Sequence, residues 1–224
     1  MFADLLPIAL AAALTPTAIL AVLLFLLSAR PLAGGIAFLG GWIAGLMISA
    51  GVLYRLGTDP VAQQVVRQPF FRPGILLLAG LGLLAVAGLA LRGRSVPLRE
   101  PAWLKRVDSL TPAHAAGLAT ALAGLSPKLL VLTAAAVATV ILAGTGQASL
   151  VAGLGFYVLV ASVPIALPVL LLLTEGDRAR LRIVHWKDWV TKNQGRILAW
   201  SSLLLGVLLV ARALALAFGG PGAI

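Results

Sequence analysis

Six stretches of this chain, residues 3–27, 32–53, 74–91, 113–143, 148–173 and 197–218, are long apolar runs. Between them they hold only three formally charged side chains, Asp4, Lys128 and Arg212. A bilayer core is roughly 30 Å thick and a helix rises about 1.5 Å per residue, so some 20 apolar residues make one crossing. The shortest run, 74–91, is just long enough. With 61% of residues hydrophobic and 11% charged, nothing is left over to build a separate soluble domain. The expectation is an all-α, polytopic membrane protein, with residues 1–224 forming one transmembrane domain of six helices.

The formal net charge of +10 would point to nucleic acid in a soluble protein. Here the basic residues flank apolar runs, so membrane lipids with anionic headgroups are the expected partner, and nucleic acid is not. The chain has no cysteine, which excludes thiol redox chemistry and thiolate metal sites. The first run has no basic residue before it and is too long for a signal-peptide core, so it is expected to stay as a helix.

Two of the runs contain the same short interruption. Leu14-Thr15-Pro16 lies inside the first and Leu125-Ser126-Pro127 inside the fourth. A proline removes a helix hydrogen bond and bends or breaks the helix. The fourth run would span about 45 Å if unbroken, beyond the hydrocarbon core, so a break at Ser126-Pro127 is expected. The two breaks divide the chain into repeat 1 at 1–91, a cytoplasmic linker at 92–112, repeat 2 at 113–218 and a disordered tail at 219–224. Three helices per repeat is an odd number, so the second repeat would insert upside down, as two inverted three-helix repeats with helices 1 and 4 broken at Pro. The second run carries a GxxxG step, Gly41-Trp42-Ile43-Ala44-Gly45, which lets helices approach closely. A homodimer through such glycine faces is one assembly this allows. Pro164 and Pro168 predict a kink in the fifth run.

The polar segments alternate across the membrane. One side holds Arg30, then Arg92, Arg94, Arg99, Lys105 and Arg106, then Arg178, Arg180, Arg182, Lys187, Lys192 and Arg196; the other holds Arg55, Arg67 and Arg72. Twelve against three places the richer side in the cytoplasm and both termini outside. Within the first linker, Trp103, Leu104, Val107 and Leu110 fall on one helical face, predicting a short amphipathic helix at the interface. A second basic linker, 174–193, carries Trp186 and Trp189 and has the same character.

Inside the runs the chemistry narrows to few groups. Asp4 lies at the outer end of the first helix, and Arg212 is late enough in the sixth to snorkel. No Asp or Glu lies mid-helix, which argues against a divalent-metal carrier and weakens carboxylate proton coupling. Lys128 follows Pro127 directly. A half-helix starting there presents free N–H groups and a positive dipole end, and the lysine adds its own charge. With no carboxylate nearby in sequence, a bound anion is the simplest compensation. Thr15 and Ser126 supply hydroxyls at the two breaks, so Lys128, Pro127, Ser126, Thr15 and Pro16 form the predicted substrate site for a phosphate, sulfate or carboxylate group. His114 and His185 have no metal-ligand spacing. No nucleophile–base arrangement and no phosphate loop appears, so neither enzyme activity nor a cofactor is expected.

The early Leu14-Thr15-Pro16 and the glycine-rich second helix are two parts of a wider pattern. The stretch Trp103-Leu104-Lys105-Arg106-Val107-Asp108-Ser109-Leu110-Thr111-Pro112 and then Leu125-Ser126-Pro127-Lys128-Leu129-Leu130 complete it. Together they resemble the GAP family, the glycopeptidolipid- and sulfolipid-addressing proteins of actinobacteria, within the lysine-exporter (LysE) superfamily. The resemblance covers essentially the whole chain, and 103–130 is its most specific part. The family motif is often Asn-Pro-Lys; here Ser126 stands in place of the asparagine, while Pro127 and Lys128 match. The resemblance implies an inner-membrane transporter that exports or flips an anionic cell-envelope lipid or glycolipid. Metal-transporting relatives carry acidic motifs in both repeats and thiol-carrying relatives need cysteines; this chain has neither. Two other readings stay open: an exporter of a small solute such as an amino acid, and a non-transporting scaffold of a lipid-export machine.

Overall fold

Prolines set where the helices of this chain begin. The computed structural model describes residues 1–59, 71–91, 110–143 and 146–218, and among these all regular structure is helical. The first run is two helices, α1 (Phe2–Ala13) and α2 (Pro16–Leu27), bent by 57° at the break. The fourth run is likewise two, α5 (Pro112–Leu125) and α6 (Pro127–Leu142), bent by 63°. In α2, α5 and α6 a proline takes the first helical position, where its missing N–H costs nothing and its fixed φ suits the helix. Between and after these pairs lie α3 (Pro31–Thr58), α4 (Phe71–Leu91), α7 (Gln147–Glu175) and α8 (Ala179–Phe218). The order therefore repeats: a broken pair, a long helix, a further helix.

Two expectations change. The second run extends to Thr58, while α7 carries Pro164 and Pro168 inside one helix. The basic stretch 174–193 is not a linker. α7 ends at a turn, Gly176–Arg178, in which Gly176 has φ +58, and α8 then starts at Ala179 and runs through the sixth apolar run as one 40-residue helix. The reason is local. Residues 179–194 contain no proline or glycine, and they bury Ala179, Ile183 and Val190 on one face, so nothing stops a helix and one side of it is worth burying. The amphipathic stretch expected at 101–110 and the tail at 219–224 fall outside the described residues, apart from Leu110.

Among the described residues, α3 and the stretch Gln147–Ala211 are long and apolar enough to cross a membrane by themselves. Each bent pair qualifies if counted as one crossing, and α4 contributes a shorter apolar piece, Gly80–Leu89. That gives two clear spans and up to four. Large side chains such as Leu78, Leu125, Val151 and Leu159 are 66–74% exposed. Apolar surface on that scale belongs against lipid rather than water, as in a membrane protein.

Two compact units form. The first comprises Met1–Tyr54 with Leu98–Gln194, the second Arg55–Pro97 with Gly195–Ile224. In the first, α1 packs on α6 and α7, and α2 on α5 and α7. Its core buries Trp42, Tyr157, Phe25, Phe38, Leu5 and Leu129 completely or nearly so. The GxxxG step seats α3 on α5. A Cβ at Gly41 would run into the Ala116 backbone, and one at Gly45 would lie 2.6 Å from the Thr120 carbonyl oxygen and 2.8 Å from the Ala123 Cβ. The Thr120 hydroxyl meets the Gly41 carbonyl oxygen at 3.0 Å. In the second unit, Gly80 of α4 and Gly206 of α8 face each other. A Cβ at Gly80 would lie 3.1 Å from the Gly206 oxygen, and one at Gly206 would lie 2.9 Å from the Gly80 oxygen. The Val210 side chain at 2.8 Å from the first and the Leu84 side chain at 2.7 Å from the second would crowd them further, the close packing that membrane helices reach with small residues.

Candidate functional site

At the first break the backbone ladder loses its donors one by one. Pro16 has no N–H, so the carbonyl of Ala12, four residues earlier, is deprived of its helical partner. The Thr15 hydroxyl donates to that Ala12 oxygen at 2.8 Å, and the Thr15 amide donates to Ala13 at 2.9 Å. The carbonyl of Leu14 would take the Ala18 amide in an unbroken helix. Here the Ala18 amide donates instead to the Thr15 oxygen at 3.1 Å. The break thus leaves the Leu14 oxygen out of its own ladder, at the negative end of α1.

The second break supplies what the first lacks. Ser126 is at once the last cap of α5 and the first of α6, in extended backbone (φ −66, ψ 122), and the Leu130 amide closes the first turn of α6 on its carbonyl at 2.9 Å. Its side chain makes no capping bond. Pro127 follows, and Lys128 lies in the first turn. The Lys128 Nζ donates to the Leu14 carbonyl oxygen at 3.0 Å, across 114 positions of sequence. A cation at the start of a helix is poorly placed by that helix's dipole; the C-terminal end of α1 offsets this.

The structure therefore brings Lys128, with Pro127 and Ser126 beside it, to the Leu14-Thr15-Pro16 turn. It does not aim the Thr15 hydroxyl at the lysine, because that group serves its own helix. It also gives Lys128 a protein acceptor that the reading from sequence did not supply. Leu14 is the residue that reading missed, for a plain reason: its part is played by a main-chain oxygen. Pro16 was the available signal, since a proline announces freed carbonyls nearby. A second cation behaves in the same way. Arg180 Nη2 donates to the oxygen of Leu27, the last residue of α2, at 3.4 Å. Both C-terminal ends of the first broken pair thus receive a cation from the second half of the chain.

The remaining polar groups are packed or local. Thr133 and Tyr157 share a buried hydrogen bond of 3.0 Å between α6 and α7. Ser49 and Ser162 bond back to carbonyls of their own helices. His114 Nδ1 meets the Thr111 hydroxyl and His185 Nδ1 the Leu181 carbonyl, each at 2.7 Å. Among the described residues no three His, Asp or Glu side chains gather as a metal site.

Residues 5–215, which take in both breaks, match the protein family described as Sap, sulfolipid-1-addressing protein. No curated protein and no solved structure matches the chain.

Proposed function

The chain belongs to the sulfolipid-1-addressing protein family, and from that premise we propose that it exports or flips an anionic cell-envelope lipid or glycolipid across the inner membrane. The observation that carries the reading is the junction of the two proline breaks at Lys128. Broken helices facing one another are how many transporters build a binding site in the bilayer, with helix ends as its charged groups. A lysine there, with Asp4 the one acidic residue in the six apolar runs, suits a negative group. A sulfate, phosphate or carboxylate headgroup would lie against Lys128 and the first-turn amides of α6 after Pro127, with Ser126, Thr15 and Pro16 shaping the turn around it. Six crossings in two inverted repeats of the LysE type, with both termini outside, complete the proposal; the repeated element order supports it.

The exposed face of α8 fits the same scheme. Leu181, Arg182, His185, Trp189 and Lys192 are exposed and face away from buried Ala179, Ile183 and Val190, while Trp186 stands beside the buried face. Aromatic and cationic side chains side by side suit a headgroup layer rich in anionic lipid. The test is reconstitution in liposomes with a sulfated glycolipid, a neutral glycolipid and free lysine as alternative cargo. Selective movement of the sulfated lipid supports the proposal. Movement of free lysine alone replaces it with small-solute export, and movement of nothing replaces it with a scaffold.

A further inference from the structure

We infer that the indole N–H of Trp42 is a donor kept for the cargo: it takes a sugar oxygen of the lipid whose charged group lies at Lys128. The inference rests on the reading of Lys128 as the headgroup anchor. It narrows the cargo from an anionic lipid to one whose charge is carried on a sugar.

The starting point is a donor without an acceptor. Trp42 is fully buried in α3, and its Nε1 is the one buried side-chain nitrogen or oxygen among the described residues with no hydrogen-bond partner. An indole N–H can only donate, and leaving it dry and unpaired costs the fold its desolvation. Buried hydroxyls of the same unit, those of Thr15, Ser28, Ser49, Thr133, Tyr157 and Ser162, are all bonded. A packing role alone would be met by Phe, which has no N–H to satisfy.

The place of Trp42 points to the ligand. It is seven residues from Gly35, four from Phe38 and three from Gly45, so the four share one side of α3. Gly35 and Phe38 look to α2: a Cβ at Gly35 would meet the Leu26 side chain, and the Phe38 ring lies 5.8 Å from that of Phe25. Gly45 looks to α5, at Thr120 and Ala123. The indole thus lies on the side of α3 that meets both α2 and α5, which also touch one another. α2 starts at the first break and α5 ends at the second, so the wedge between them leads to the junction where Lys128 meets the Leu14 oxygen. From Thr120 to Ser126 is about 9 Å along α5. A bare sulfate or phosphate at Lys128 leaves that gap open. A sugar ring carrying the charged group bridges it, and its hydroxyl and ring oxygens are acceptors for a neutral N–H. Trp42 is closed off here, so the ring enters by parting α5 from α3. That contact is made by glycines against backbone and small side chains, with no long side chains to disengage.

Binding of two sulfated lipids in neutral phosphatidylcholine nanodiscs tests this. Galactosylceramide sulfate carries its charge on a sugar; cholesterol sulfate carries it on a sterol. Benzothienylalanine in place of Trp42 keeps the ring shape and removes the N–H, and Trp42→Phe is the second variant. Each should weaken the sulfated glycolipid by about 3- to 10-fold, the value of one neutral hydrogen bond, and leave cholesterol sulfate unchanged. Lys128→Met should weaken both lipids. A chain with Trp103, Trp186, Trp189 and Trp200 replaced by Phe reports Trp42 alone; its emission should start blue and move to the red with the glycolipid only. Native affinity for the glycolipid without the N–H overturns the inference while the anchor reading survives. Equal weakening of both lipids by the benzothienyl isostere also overturns it, because the N–H then does not read the sugar. Red emission before lipid is added overturns it too, since water then already pairs the indole. If Lys128→Met weakens neither lipid, or the native chain binds neither, the anchor reading falls and this inference with it. If neither variant at position 42 folds, the emission of the Trp42-only chain decides in the same two directions.

Discussion

The ammonium of Lys128 stands where the amide of Ala18 would stand in an unbroken helix, 3.0 Å from the Leu14 oxygen. One proline break frees an acceptor from its own helix, and the other positions a donor for it. Each interruption alone would be a defect in an apolar segment. Joined, they make a polar junction between the halves of the chain, and most of what can be tested follows from it.

Replacing Lys128 separates an anion anchor from an inert helix cap. Lys128→Ala is expected to fold and to lose transport, by roughly 10- to 100-fold, the equivalent of a charged hydrogen bond of about 1.5–3 kcal/mol. Lys128→Glu should do worse, because it puts a negative charge where the headgroup's belongs. Lys128→Arg should keep part of the activity, with the charge retained and the geometry changed. Flux in proteoliposomes at matched protein levels is the measurement. Full flux from Lys128→Ala would remove the anchor.

Gly40 and Gly41 should respond in opposite senses to the same substitution. A Cβ at Gly41 meets the Ala116 backbone, while one at Gly40 has nothing within 4 Å. Gly41→Ala must push α3 off α5 and should cost about 1–3 kcal/mol as overpacking. Gly40→Ala should be neutral or stabilising by up to about 1 kcal/mol, through helix propensity. Thermal unfolding of the two variants in detergent checks this; equal midpoints would mean that α3 does not seat on α5 at the GxxxG step.

Much of this arrangement can be read from sequence, and the parts that cannot share a cause. Pro16 and Pro127 announce both breaks, because a missing N–H acts locally whatever surrounds it. Gly41 and Gly45 announce a close contact. What they do not announce is the partner: α5 is more than 60 residues away, and Leu14 contributes an atom that every residue possesses. The helix from Ala179 is hidden for another reason. Its Arg, Lys and Trp residues look like a polar connection, and only the spacing of Ala179, Ile183 and Val190, once seen buried, marks a helix face. The number of crossings is the least legible. Bent pairs and a 40-residue α8 satisfy the same apolar count in more than one way.

The distribution of basic residues sets the expected orientation. Twelve Lys and Arg on one side against three on the other put Asp177 in the cytoplasm and Gln63 outside. Single cysteines at these positions should label from opposite sides, and Asp177 is exposed and suitable. An impermeant maleimide applied to intact cells should reach the cysteine at 63 and spare the one at 177. The reverse pattern would invert the topology.

The aromatic face of α8 can be placed by fluorescence. Of the five tryptophans, Trp189 is 59% exposed on the same face as Arg182 and Lys192. A chain keeping Trp189, with the others replaced by Phe, should be quenched by headgroup-level bromolipid and only weakly by aqueous iodide. Lowering the anionic lipid content should weaken the bromolipid quenching. Strong iodide quenching in anionic vesicles would show that this face meets water.

The Thr15 hydroxyl and the Pro16 ring form a matched pair, and a double substitution separates their roles. Pro16 withdraws the amide that the Ala12 oxygen would have received, and Thr15 restores a donor from its side chain at 2.8 Å. Thr15→Val keeps the shape and removes the hydroxyl, leaving a buried acceptor unsatisfied. The expected loss of stability is about 1–3 kcal/mol. Adding Pro16→Ala to that variant returns an amide at position 16, which can donate to Ala12 in the ordinary helical manner. Stability should then recover to near the native level. Transport should not recover, because a continuous helix through 14–16 would give the Leu14 oxygen back to the Ala18 amide and take it away from Lys128. Unfolding midpoint and flux are therefore expected to part company in the double variant, one restored and the other lost. Recovery of both would mean that the 57° bend has no part in moving the substrate.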